Sequence, residues 1–86
     1  MISSAYAITD TRQKVVAAEP LVRDIYINVV GNTTVYVGGS DVTSSNGAHV
    51  EKHSVPFHVT VPYGEELYAV CATGLTESLI VLRPND

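Results

Sequence analysis

The chain predicts an all-β fold: a small antiparallel β-sandwich or barrel of about six to eight short strands with an N-terminal arm. Three observations predict it. Gly, Pro and Asn cut the 86 residues into short pieces. The pieces are rich in Val, Ile, Thr and Tyr, whose branched or aromatic side chains suit a pleated, half-buried surface. The turn signals recur about every 8–12 residues, the spacing of a sandwich or barrel. A chain of this length forms one domain, and a domain this small buries only about 60–65% of its unfolded surface.

The first twenty residues read differently from the rest. Thr11 to Ala18, TRQKVVAA, suits either a helical turn or a strand, and Glu19-Pro20 ends it. Residues 1–20 are therefore set apart as an arm, partly extended, that pairs with the sheet or with a neighbouring subunit. An ordinary first strand of the same sandwich is the alternative. Residues 21–86 form the β domain.

Arg23 to Val30 alternates, with Ile25, Ile27 and Val29 on one face and Tyr26, Asn28 and Val30 on the other. Gly31-Asn32 predicts a tight hairpin turn. Thr33 to Val37 is then the return strand, with Val35 and Val37 on one face and Thr34 and Tyr36 on the other. Gly38-Gly39 suits backbone with positive φ. Asp41 to Gly47, DVTSSNG, is a loop in which Val42 plugs into the core and the Asp41 side chain caps nearby backbone N–H groups. Val55 to Val61 alternates again, with Val55, Phe57, Val59 and Val61 on one face. Pro56 has no N–H to donate, which places this strand at an edge or a bulge. Pro62-Tyr63-Gly64-Glu65 turns the chain. Glu66 to Ala72 is apolar enough for a central strand. Thr73-Gly74 turns it once more into a last strand, Ser78 to Leu82.

Charge and chemistry exclude more than they suggest. The net charge is −4, and five Lys and Arg are scattered along the chain. Binding a phosphate backbone needs clustered cations, so nucleic acid and anionic membrane are not expected partners. The start, MISSAYAITDT, lacks the cationic and long apolar regions of a signal peptide. Cys71, the single cysteine, lies in an apolar run and reads as a core residue, not a nucleophile. No P-loop, dinucleotide fingerprint or nucleophile elbow occurs, so neither enzymatic activity nor a cofactor is expected.

Two constellations carry possible chemistry. His49, Glu51 and His53 form H-x-E-x-H, and on an extended segment all three side chains share a face. The segment reads first as a polar, solvated strand with no metal; the alternative is zinc, which two His and a carboxylate suit, most naturally between symmetry-related subunits. Glu65-Glu66 lies at a turn with no cleft to shift a carboxylate pKa, and reads as solvated. The five tyrosines, Tyr6, Tyr26, Tyr36, Tyr63 and Tyr68, suit either the margin of a small core or contacts with a partner.

The segment from Tyr36 to Ala72 adds a resemblance. Val35 to Thr43 reads VYVGGSDVT and leads to Asn46-Gly47. Later Leu67 to Val70, LYAV, is followed by Gly74. This arrangement resembles small β domains of virion structural proteins of tailed bacteriophages, over roughly residues 22–84. The resemblance implies a bacteriophage virion structural protein, a capsid decoration protein or head fibre above all. A tail or neck component, or a receptor- or carbohydrate-binding module, is the alternative. It further implies the major capsid protein or other virion subunits as partners, a homo-oligomer such as a trimer, and a location in the virion after synthesis in the host cytoplasm. The matching residues build turns and core, so the resemblance carries no catalytic role to this chain. The arm, residues 1–20, is the candidate bridge between neighbouring capsid subunits.

Overall fold

The computed structural model describes residues 2–52 and 56–84. Among these residues the chain forms eight strands and no helix. In order they are β1 (Ile2–Ile8), β2 (Gln13–Val16), β3 (Arg23–Val29), β4 (Val35–Gly38), β5 (Ala48–Val50), β6 (Phe57–Val61), β7 (Leu67–Val70) and β8 (Glu77–Arg83). Two four-stranded sheets result, with orders β1-β8-β3-β6 (sheet A) and β2-β7-β4-β5 (sheet B). Every pairing is antiparallel. Only the β4–β5 connection stays within a sheet; every other one crosses between sheets. This is the double Greek-key arrangement of a jelly roll.

The inward residues follow the alternation of the sequence. Ile25, Ile27 and Val29 of β3, Val35 and Val37 of β4, and Leu79 and Val81 of β8 are buried together with Ile8, Val50, Val61, Leu67 and Ala69. Each large aliphatic side chain among them contributes about 1.5–3 kcal/mol when fully buried. Cys71 belongs to the same core. Its Sγ donates to the Ile8 carbonyl at 3.7 Å. Burial, with Glu77 and Asp10 nearby, holds its thiol above the ordinary range, so it stays protonated and inert.

Residues 1–20, set apart above as an arm, supply an outer strand to each sheet. β1 pairs with β8 without a break, from Ile2 opposite Arg83 to Ile8 opposite Glu77. β2 pairs with β7 through a register shift between Lys14 and Val16. That bulge turns both Val15 and Val16 inward, where both are buried. The segment TRQKVVAA thus holds a strand, and the pairing of the arm lies within the chain.

Gly31-Asn32 is not a hairpin turn. β3 and β4 lie in different sheets, so residues 30–34 form a corner between them. The Glu77 carboxylate, distant in sequence, builds it by accepting from the Gly31 N–H and the Thr33 N–H, both at 2.9 Å. A Cβ at Gly31 would lie 2.6 Å from Glu77 Oε1, so glycine serves close approach here. The turn at residues 62–65 closes as expected: the Glu65 N–H reaches the Pro62 carbonyl at 3.1 Å, with Gly64 at φ +75°. The turn at residues 72–75 repeats this with Gly74 at φ +80°. Gly38 and Gly39, by contrast, do not have positive φ. β6 is an edge strand, and Pro56 lies just outside it. Val55, assigned above to the same strand, lies outside the described residues.

Arg23 is the one charged residue buried among the described residues, at 4% exposure. Its guanidinium donates through Nη1 to the Ala17 carbonyl and through Nη2 to the Glu65 carbonyl at 2.9 Å. It therefore clamps the β2–β3 loop to the β6–β7 turn. The alternation of β3 made Arg23 an inward position, but its two carbonyl partners lie on other segments.

Candidate functional site

The two outer faces of the sandwich hold the residues with chemistry. On sheet B the face is covered. Tyr36 and Gly38 alternate with the core residues Val35 and Val37 and so point outward. The loop 39–47 folds back over them. Val42 is buried at 2% exposure, yet it lies apart from the core between the sheets. Its Cγ2 is 3.1 Å from the place a Cβ on Gly38 would occupy, and 2.8 Å from that place on Gly47. The plug therefore closes a flap on the outer face and does not enter the core as the sequence suggested. Gly38 and Gly47 serve close approach, not left-handed backbone.

The flap is stitched by Asn46. Asn46 Oδ1 accepts from the Thr43 N–H at 2.6 Å, and Asn46 Nδ2 donates to the Asp41 carbonyl at 3.3 Å. Asp41 thus contributes its backbone carbonyl here, and the side-chain staple expected from Asp41 comes from Asn46. Arg12 ties the β1–β2 loop to the flap through Nη1 and the Ser40 carbonyl at 3.1 Å. Asp10 Oδ2 accepts from the Gly74 N–H at 3.0 Å. An open groove of about 580 Å³ runs between these loops, lined by Asp10, Arg12, Thr43, Ser44 and Thr73 among others. Its two charged side chains are both engaged in holding loops.

The outer face of sheet A is open and holds a cluster. β3 and β6 place Asp24 opposite Thr60 and Tyr26 opposite His58. Asp24 Oδ1 meets His58 Nε2 at 3.1 Å and accepts from the Thr60 hydroxyl at 3.0 Å. The His58 and Thr60 hydrogen bonds hold the Asp24 carboxyl below its ordinary value. The Tyr26 ring stacks on His58 with centroids 4.9 Å apart. The alternation in β3 and β6 exposed each of these residues, but no signal in the chain gives the register that joins them.

The other candidates separate. His49, on β5, is exposed and meets Tyr36 edge-on at 4.8 Å. Glu51 is exposed beyond the end of β5, and His53 lies outside the described residues. Among the described residues no group of three or more His, Cys, Asp or Glu is placed to hold a metal ion. Glu65 is exposed, as expected, whereas Glu66 is half-buried and pairs with Lys14 at 2.8 Å. The Lys14 hydrogen bond lowers the Glu66 carboxyl, and its counterpart raises Lys14. Tyr63 is the most exposed tyrosine at 67% and Tyr26 follows at 38%. Tyr6, Tyr36 and Tyr68 are half-buried at the margin of the fold.

No family model, curated protein or solved structure matches this chain.

Proposed function

We propose that this domain is a structural subunit of a tailed-bacteriophage virion, a capsid decoration protein that binds the assembled head and stabilises it. The observation that carries the reading is the likeness of residues 35–47 to the corresponding segment of such virion domains. In this chain those residues build β4 and the stapled flap over sheet B. The jelly-roll topology agrees with the reading by analogy, since capsid and lectin domains share it. The partner is the major capsid protein, and there is no catalytic step. Because β1 and β2 are held within the sandwich, bridging falls to exposed surface, with Tyr26 and His58 on the open face of sheet A as the docking group. Weak contacts of this kind become strong when many copies occupy a repeating shell.

Heating purified heads that lack the protein, with and without a saturating amount added back, tests the proposal. Cementing raises the temperature at which the shells rupture. An unchanged rupture temperature at saturation contradicts it.

A second reading, a carbohydrate-binding module of the tail, draws on the hydroxyl-lined groove of Thr11, Thr43, Ser44 and Thr73. Saccharide-induced chemical-shift changes confined to those residues support that reading. No shift with any saccharide removes it.

A further inference from the structure

Four strands form the free edges of the two sheets: β1, β6, β2 and β5. An edge strand exposes unpaired N–H and C=O groups, and proteins ordinarily blunt it with charge, proline, a bulge or shortness. Three edges here are blunted. β5 has three residues. β2 has four, with a register shift and the ion-paired Lys14. β6 has five, follows Pro56 and carries His58.

β1 has none of these devices. Its seven residues, ISSAYAI, contain no charge and no proline. Its register against β8 is unbroken from Ile2 to Ile8. In an antiparallel strand every second residue turns its N–H and C=O to the far side. No backbone partner meets that side between Ile2 and Ala7 among the described residues.

The sequence of β1 also says what pairs with it. About Ala5 it is close to a palindrome. An antiparallel copy centred on Ala5 sets Ile2 against Ile8, Ser3 against Ala7, Ser4 against Tyr6, and Ala5 against itself. Face parity is kept. The exposed residues Ser3, Ala5 and Ala7 meet one another on the outer face. The half-buried Ile2, Ser4 and Tyr6 lie on the inner face, with small Ser4 beside bulky Tyr6, while Ile8 opposite Ile2 is already buried in its own core. The chain as a whole carries −4, so two copies repel, and the uncharged β1 is where they approach at least electrostatic cost.

We infer that the β1 edge pairs with β1 of a second copy about a twofold axis at Ala5, joining the two A sheets into one continuous sheet. Such an interface is isologous and closes as a dimer. A dimer is a different homo-oligomer from the trimer named above as an example, and the inference holds whether or not the protein decorates a shell.

Sedimentation equilibrium on the full chain tests it. A species of twice the 9.2-kDa chain mass is expected at high concentration. Ala5→Glu sets like charges directly opposite each other on an exposed position. This variant is expected to keep the wild-type circular dichroism and the melting temperature of the dilute wild type, to lose the rise of melting temperature with concentration, and to sediment as a monomer. Mixing it with Ala5→Lys restores the dimer. Register is read by oxidation: Ala5→Cys forms a disulfide-linked dimer, because opposed Cβ atoms lie about 4.5–5.5 Å apart. Ala7→Cys does not, because its two copies stand about 13 Å apart along the strands. Buried Cys71 does not compete. A wild-type chain that stays monomeric at all concentrations overturns the inference. So does a dimer that Ala5→Glu leaves intact, or an Ala7→Cys variant that cross-links as readily as Ala5→Cys.

Discussion

The outer face of sheet B is covered by the chain's own flap, whereas the outer face of sheet A stands open with Asp24, Tyr26, His58 and Thr60 arrayed on it. The same alternation of side chains produces both, yet they serve different ends. On sheet B the outward positions are Tyr36, Gly38 and half-buried Tyr68, and Val42 is packed down over this face. On sheet A the outward positions combine Asp24, Tyr26, His58 and Thr60, which contact each other, with Ser3, Ala5 and Ala7 of β1 and the half-buried Ile80 and Leu82 of β8. A small domain with a thin core gains a second packed layer from the flap. The open face adds little to stability, which leaves it free to meet a partner.

The sharpest way to break this contrast is to obstruct the flap. A Cβ on Gly47 would lie 2.7 Å from Tyr36 Cβ and 3.0 Å from the Thr43 carbonyl oxygen. Gly47→Val is expected to cost about 3 kcal/mol in urea unfolding, through overpacking against backbone that cannot yield. Val42→Ala removes the plug without obstruction and is expected to cost about 2 kcal/mol by the same measurement. Asn46→Ala deletes the staple and is expected to cost about 1 kcal/mol. Tyr26→Ala, on the open face, loses only its cross-strand stacking on His58 and is expected to cost about 0.5 kcal/mol; on the proposed docking role it also weakens binding to heads. Should Tyr26→Ala destabilise as much as Val42→Ala, the two faces are alike and the contrast fails.

Acid sharpens the same contrast on the open face. The folded-state pKa of Asp24 lies below its ordinary 3.8. The stability it contributes is therefore present above about that pH and is lost as pH falls through the lower, folded value. Asp24→Asn is expected to unfold at a lower urea concentration than wild type at pH 7, and the gap closes toward pH 2. Glu77 behaves with the same sign. Burial pushes its carboxyl up, but the Thr33, Ser78 and Gly31 N–H groups outweigh burial and leave it below its ordinary 4.5. Equal gaps for Asp24→Asn at both pH values would show that the Asp24–His58 contact contributes nothing.

Much of the fold was legible because alternation is a local property. Ile25, Ile27 and Val29, then Val35 and Val37, declared their faces directly, and Pro56 marked the edge strand. What could not be read was set by residues far apart in the chain. Gly31-Asn32 looked like a hairpin because turn chemistry is local, whereas Glu77, which fixes the corner, lies 46 residues away. Residues 1–20 looked like an arm because TRQKVVAA suited a helical turn as well as a strand, whereas the partner that fixes ISSAYAI, β8, lies at the other end of the described chain. Gly38 suggested a special backbone, but its reason was the approach of Val42, which also crowds Gly47. The open-face cluster depends on register, which joins Asp24 to His58 across 34 residues.

Titrating heads that lack the protein with purified wild-type chain, and counting the bound copies by gel densitometry, tests the central claim most directly. A decoration protein saturates at hundreds of copies per head, one set for each repeat of the shell. No binding, or saturation at about a dozen copies, contradicts decoration.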